Sequence, residues 1–493
     1  MEQQSRTSRR SPAWRMLAAA AVLSGVAALA AWQPARADML LAPGNFGLRS
    51  DLRLLADAGV LNMPVDTWPI PWSAIASQLS GVNSGNLPPD QAAAVDAVMA
   101  MAPKGVREAV TFTARTAEPG LRWFNDTPRG QATLGASMQG SGPLLSWKLS
   151  AQAVHDAPDG HNARLDGSYV GVNLGNWMLS AGAVERWWGP AWGGSMMLSS
   201  NARPVPSITF QRRRADAFAT PWLHWLGPWR MVAFLGQTQA HRAVPRARLA
   251  GARFSFQPLQ GLTVGLSRVG QWGGDGNDSW TSLRDSLTAN DTAGAYSRTG
   301  VRLSGLDARW AFHLGGVPLA LYGDAVRQQR AAGQAAGDFG QYGVETWGAL
   351  NNQGDAWRAF AEYADTTARS GGNSLYDVAY NDPVYGSGYR YYDRPIGYAA
   401  GSDARMLTLG YIGTVPGSGD VALLGRHGRL NRGGTGYNTV AAAETRFNSV
   451  RMEWFANLQN ARLGVGLGVD WYHPVGGGSR RHGLLYLSWT SEF

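Results

Sequence analysis

The stretch from His482 to Phe493 alternates and stops on an aromatic residue. In extended backbone successive side chains point to opposite faces, so Leu485, Leu487, Trp489 and Phe493 share one face while Tyr486, Ser488, Thr490 and Glu492 share the other. An apolar row, a mostly polar row and a terminal phenylalanine describe a strand with lipid on one side and a wet lumen on the other. The same period recurs upstream. Leu306, Ala308, Trp310, Phe312 and Leu314 alternate with Asp307, Arg309, Ala311 and His313, and Leu463, Val465, Leu467, Val469 and Trp471 alternate with Gly464, Gly466, Gly468, Asp470 and Tyr472. Trp357, Ala359, Ala361 and Tyr363 oppose Arg358, Phe360 and Glu362, with aromatics at both ends as in an interfacial girdle.

Marking every such segment from about Glu108 onward predicts about 18 strands, an even number as bacterial barrels require. Two of them are expected at 162–173 and 175–186. Four long polar connections, 187–204, 271–296, 366–402 and 429–443, are expected on the extracellular side, because such barrels keep their short turns in the periplasm. Ahead of the strands the period is helical. Leu52, Leu54, Leu55 and Val60 form one apolar face, Ile70 to Ser80 a second short helix, and Pro88-Pro89-Asp90 opens a third that runs through Ala102. So small a unit holds little apolar sequence of its own and is expected to dock on the periplasmic end of the barrel.

The first residues read as an export signal. Arg6, Arg9, Arg10 and Arg15 precede an apolar run from Met16 to Ala31, and Ala35-Arg36-Ala37 supplies a small-x-small cleavage pattern, so the mature chain is expected to start at Asp38. The expected organisation is a signal peptide over 1–37, a periplasmic helical domain over 38–105 and an outer-membrane barrel over 106–493. Composition fits: only 16% of residues are charged, and 63 Gly and 21 Trp take the place of a salt-bridged soluble surface. The absence of cysteine removes disulfides, zinc-thiolate sites and thiol nucleophiles together. The net charge is +9, or +5 once the five Arg and one Glu of 1–37 are removed. A cationic excess suits an acidic partner, lipopolysaccharide phosphate or an anionic polysaccharide; a balanced surface with a few extra arginines is the alternative.

The densest aromatic segment runs Glu185-Arg186-Trp187-Trp188-Gly189-Pro190-Ala191-Trp192 and continues through Ser200-Asn201-Ala202-Arg203-Pro204-Val205-Pro206. Together with Leu54-Leu55-Ala56-Asp57-Ala58-Gly59-Val60, Thr67-Trp68-Pro69-Ile70-Pro71-Trp72, Glu362-Tyr363-Ala364-Asp365-Thr366, Tyr380-Asn381, Tyr385, Gly388-Tyr389-Arg390-Tyr391 and Arg394-Pro395-Ile396-Gly397, it resembles the Wzi-type capsule-assembly proteins of Gram-negative outer membranes, in the right order and over essentially the mature chain. The resemblance implies an all-β transmembrane barrel of about 18 antiparallel strands with a small N-terminal periplasmic α-helical plug. It also implies a lectin-like role in attaching secreted polysaccharide to the cell surface. Tyr398 stands where the family pattern leads one to expect histidine, so no imidazole role is carried over to that position.

Read from the residues alone, indole faces stack on the C–H faces of pyranoses, and Arg186, Asn201 and Arg203 are able to donate to hydroxyls or uronates. Trp187, Trp188 and Trp192 with these three form the first candidate polysaccharide site. The competing reading is a tight loop whose indoles plug the lumen. Tyr385, Tyr389, Arg390 and Tyr391, with Tyr392 beside them, form the second candidate, since they lie in a long connection. Arg212-Arg213-Arg214 suits lipopolysaccharide phosphate or an acidic glycan, or else a solvated loop base, and Trp222, Trp225 and Trp229 read as interfacial girdle.

Catalytic and metal signals are weak. Ser387 lacks a strand-to-helix elbow, no HExxH pair exists, Glu185 reads as a salt-bridge partner of Arg186, and Asp275, Asn277 and Asp278 lack the bidentate Glu of a calcium loop. No cofactor, metal, enzymatic activity or nucleic-acid partner is expected. The expected partners are anionic or neutral surface polysaccharide, outer-membrane lipid and lipopolysaccharide, and the polysaccharide export machinery. A solute porin is the alternative from a different class; it needs an open lumen.

Overall fold

The computed structural model describes residues 39–493 apart from 104, 126, 275–282, 285–298, 330–335 and 384. The export signal with its cleavage site and the Asp275-Asn277-Asp278 loop therefore lie outside the described residues.

Eighteen antiparallel staves close into one barrel. In chain order they are β1 Arg107–Arg115, β2 Ala132–Ser141, β3 Leu145–His155, β4 Tyr169–Leu174, β5 Trp177–Gly182, β6 Ser207–Arg212, β7 Trp229–Gln237, β8 Arg248–Leu259 and β9 Leu262–Trp272. They continue as β10 Arg302–Leu314, β11 Val317–Gln329, β12 Gly337–Ala349, β13 Ala356–Ser370, β14 Arg405–Val415, β15 Gly419–Leu430, β16 Thr445–Leu458, β17 Ala461–Pro474 and β18 Arg480–Glu492. The seam joins β18 to β1, from Tyr486 opposite Arg115 to Glu492 opposite Ala109.

The expected parity holds. On β10, Leu306 and Trp310 are about half exposed on the outer wall while Asp307 and Arg309 are buried in the lumen. On β18, Leu485, Leu487 and Trp489 face out and Tyr486 is buried. The lumenal glycines of β17 make room for inward aromatics: a Cβ on Gly466 would lie 1.9 Å from the Tyr486 ring. Wall height is uneven. β4, β5 and β6 have 6 residues each, whereas β13 has 15. The strands expected at 162–173 and 175–186 are correspondingly shorter, because Ala163–Arg164 pairs separately with Gln152–Ala153 and β4 begins only at Tyr169.

Three helices precede the barrel: α1 Phe46–Asp57, α2 Trp72–Leu79 and α3 Pro89–Ala100. Asn45 caps α1, its side chain accepting from Leu48 N at 3.0 Å, and Pro89 opens α3, where its missing N–H is no loss. α2 starts two residues later than expected because Ile70–Pro71 pairs with Leu40–Leu41. The helices share the barrel end that carries short turns: Gln260, between β8 and β9, donates to Ala56 O at 2.8 Å, and Gly354, between β12 and β13, packs on Pro89 and Ala93. That end is periplasmic by the turn-length rule.

The helical region does more than dock on the end, as the sequence had suggested. α1 enters the lumen, and an ion network ties it to the wall. Arg53 bonds Asp66 at 2.7 Å and Glu345 at 3.1 Å, Arg309 bonds Asp57 at 2.6 Å and Glu345 at 2.5 Å, and Arg358 lies 3.2 Å from Glu345. All six side chains are buried. Low apolar content fits this placement, since the lumen wall supplies the plug with charge partners and also with apolar neighbours such as Phe360, Ile412, Leu424 and Phe455.

The basic run is also displaced from its expected role. Arg212 ends β6 at the periplasmic rim and Arg213 O accepts from Ser73 of α2, so these arginines face away from the lipopolysaccharide leaflet. Trp222 and Trp225 are exposed beside them, as a girdle requires. Trp229 lies on the outward parity of this rim beside Phe254 and Phe256, but it is covered, stacked on Phe218 at 4.4 Å with the Arg212 guanidinium 3.7 Å from its ring centre.

Candidate functional site

The segment 183–206 turns inward instead of lying on the surface. Trp187 and Trp188 pair antiparallel with Trp68 and Thr67, so the aromatic loop and the N-terminal region meet as a two-stranded ribbon inside the barrel. Arg49 of α1 fixes the turn, donating to the carbonyls of Gly189, Pro190 and Ala191 at 3.1, 2.9 and 3.0 Å, and its guanidinium lies 4.5 Å from the Trp192 ring centre. Trp192 Nε1 donates to Glu345 at 2.8 Å, its ring stacks on Phe360 at 5.7 Å, and Glu362 accepts from the backbone N–H groups of Trp192 and Gly193. Trp187, Trp188 and Trp192 are fully buried. The indoles fill the lumen, as the competing reading had it, and a sugar ring has no access to them in this arrangement. Arg186 is buried too, donating to Ser207 and Thr209 at 2.6 and 2.8 Å; Glu185 pairs with Arg129 at 2.8 Å and not with Arg186.

The second candidate group gathers above this layer. Arg390–Tyr391 pairs with Arg394–Pro395 as a hairpin whose two-residue turn is Tyr392-Asp393. Both turn residues have positive φ, 47° and 60°, as a type I′ turn demands. The expected site residues are mostly its scaffold. Tyr389 is buried and its hydroxyl donates to Met197 O at 2.9 Å; Tyr385 is buried and donates to Gly273 O at 2.7 Å. Arg390 donates to Asn381 at 2.7 Å and Tyr437 O at 3.1 Å, Asn201 to Pro395 O at 2.9 Å, and Tyr391 lies 4.6 Å from the Tyr392 ring.

This scaffold presents Tyr392 at a cavity of about 920 Å³ at the extracellular mouth. Glu118, Asp159, His161, Asn201, His241, Asp393, Arg394 and Thr439 contribute to its lining, drawn from six different connections. Asn201 and Tyr392 are the members of the two expected groups that line it. Arg203 lies just behind, its guanidinium 5.1 Å from the Tyr392 ring centre, gripping Asp166 at 2.8 and 2.9 Å and Asp159 at 2.8 Å. Asp159 also accepts from Arg164 at 2.7 Å. Burial works against its charge, yet the hydrogen bonds from Arg203 and the His161 N–H, with the Arg164 charge, hold the carboxyl below the ordinary range. For Arg203 burial is likewise outweighed, and Asp166 and Asp159 hold it above the usual arginine value.

Sequence reasoning missed His161, Asp159, Glu118 and Asp393, which carry no local pattern; the flanking Arg390-Tyr391 and Arg394-Pro395 were the available signal for the hairpin. Among the described residues no group of three or more His, Cys, Asp or Glu is placed to hold a metal ion.

Three comparisons bear on this architecture. The family described as capsule assembly protein Wzi matches residues 109–475. A Klebsiella pneumoniae protein described as an uncharacterised 55.8 kDa protein in the cps region is 30% identical over 327 residues, 65% of this chain; the match spans 64% of that relative's length. A solved structure with TM-score 0.79 and 24% identity covers 92% of this chain and 99% of its own. It is described as Wzi, an outer-membrane protein involved in group 1 capsule assembly in Escherichia coli and a carbohydrate-binding β-barrel.

Proposed function

Because the chain belongs to the Wzi capsule-assembly family, we propose that it is a non-enzymatic, lectin-like outer-membrane protein that holds secreted capsular or exopolysaccharide at the cell surface. The observation that carries this reading is a polar, aromatic-edged cavity open at the extracellular mouth, above a lumen filled by α1 and the 183–206 loop. A polymer needs only to reach the mouth to be held. A solute porin needs a continuous aqueous path, and the buried ribbon of Thr67-Trp68 with Trp187-Trp188 stands across it. The precursor is exported, with cleavage after Ala37, and the outer wall meets lipid and lipopolysaccharide while the mouth receives polymer from the export machinery.

The test compares cells with and without the protein for polymer retained at the surface against polymer shed to the medium, alongside conductance of the purified barrel in planar bilayers. Retention that depends on the protein, with negligible conductance, is expected. Unchanged retention together with large steady conductance would move the assignment to the porin class.

A further inference from the structure

The arginine that lines the cavity and those packed behind it are already engaged. Arg394, the one Lys or Arg among the described residues lining the cavity, is salt-bridged to Glu118. Arg203 is spent on Asp159 and Asp166, Arg164 on Asp159, and Arg129 on Glu185. Arg390 is turned to Asn381 and the Tyr437 carbonyl, and Arg242 to the carbonyls of Arg390 and Gly388 at 3.0 and 2.8 Å. Among the described residues, a uronate or phosphate entering the cavity would meet no lining guanidinium free of a carboxylate and would approach the Asp393 carboxylate, which is exposed at the turn. Bringing like charges together in a partly desolvated site is unfavourable. What the cavity does offer is acceptors, since ionised carboxylates accept and do not donate, and hydroxyl groups are donors in want of them.

The turn supplies the apolar half of the site. Tyr392 at φ 47° occupies a left-handed conformation that is unfavourable for a bulky residue, where Asn or Gly would serve the hairpin better. Held there, its ring lines the cavity with that of His161, centroids 4.6 Å apart and inclined at 61°. Strained backbone that places one side chain in an open cleft points to use of that side chain.

We propose that this cavity is the carbohydrate subsite and that it takes an uncharged stretch of polymer: a pyranose packed by its C–H face on the Tyr392 and His161 rings, its hydroxyls donating to Asp393 and the neighbouring acceptors. The proposal rests on the lectin reading and names the ligand class for it. Charged residues of the polymer, where present, lie outside the cavity.

The test uses the full-length protein purified in detergent and calorimetric titration with neutral heptasaccharides of glucose, mannose and galactose against oligogalacturonate of the same length. At least one neutral probe is expected to bind about tenfold or more tighter than oligogalacturonate. Its affinity should be nearly unchanged between ~50 and ~500 mM salt, because no ion pair is formed. Tyr392→Gly removes the ring and relieves the positive φ at once, so binding should fall about tenfold or more while heat-modifiable migration is kept or improved. Tyr392→Phe should bind as the parent does. Oligogalacturonate binding as tightly as the best neutral probe, or Tyr392→Gly binding unchanged, overturns the proposal and leaves the lectin reading standing. Binding of no probe, neutral or charged, removes the lectin reading and the proposal with it.

Discussion

Replacing Glu345 by Ala is expected to loosen the plug more than any other single change in the lumen. Its carboxylate accepts from Arg53, Arg309 and the Trp192 indole and lies 3.2 Å from Arg358, so it joins α1, two other strands and the inward loop. Without it Arg49, Arg53, Arg309 and Arg358 share only Asp57 and Asp66 as close partners. Breaking one buried pair costs about 3–5 kcal/mol because the partner charge is stranded. Three stranded partners do not triple the figure, since Asp57 and Asp66 still serve two of them and water can enter a polar lumen. About 3–5 kcal/mol is therefore the expected loss, with Glu345→Gln between Ala and the parent because it keeps the acceptor oxygen. The assay is the urea midpoint of the heat-modifiable band for the refolded barrel, followed by planar-bilayer recording. A lower midpoint and flickering conductance are expected. Pairing Glu345→Ala with Arg53→Met should cost less than the two changes summed, because the cycle removes a stranded charge. An unchanged midpoint with a silent bilayer would refute the idea that this network holds the plug.

Phe493 is 76% exposed on the closing strand, with its N–H bonded to Glu108 O at 2.9 Å. Phe493→Lys should reduce outer-membrane yield severely, whereas Phe360→Ala, which empties the lumenal site against Trp192, should lower heat resistance by about 3 kcal/mol with yield intact. Trp187→Ala or Trp188→Ala should each cost ~3–5 kcal/mol in unfolding experiments through lost packing; a surface-retention defect at full stability would instead return these indoles to polymer contact. Asp403, in the loop before β14, is pushed up to about 7 by burial and the adjacent Asp377. A carboxyl raised above its unfolded value of 3.8 stabilises the fold fully below that value and loses the contribution as pH rises to about 7. Amide protection factors in 371–404 and 431–444, which discount the intrinsic rise of exchange with pH, should therefore be larger at pH 5 than at pH 8, and Asp403→Asn should abolish the difference.

What was legible in the sequence was what depends on period. Alternation at Asp307 and Arg309, or at Tyr486 and Leu487, follows from a two-residue repeat facing lipid on one side, and that repeat is local. The RWWGP segment was visible as a concentration of chemistry, but its destination was not. Thr67-Trp68, Arg49 and Glu362 decide it, and they lie more than a hundred residues away in the chain. Tyr392 was visible as one of a row of aromatics, but its turn with Asp393 was not: turn rules look for Gly or Asn at positive φ, and a tyrosine held there does not advertise itself by propensity. Arg212 was misplaced because a charge run has no sidedness until the turns above and below it have been sorted into long and short.

The six-residue staves β4, β5 and β6 have a consequence for the surrounding lipid. At the usual rise and tilt, six residues span about 15 Å of membrane normal, against an apolar band of about 25 Å elsewhere on such barrels. Acyl chains beside this flank must shorten, tilt or splay to keep contact with Val170, Leu179 and Ile208, at fractions of a kcal/mol per Å. The barrel therefore carries a pinch in the bilayer on one side of its circumference. Two copies that turned their low flanks together would share one pinch in place of two, so lipid strain is expected to favour pairing, and more strongly in thicker bilayers than in thin ones.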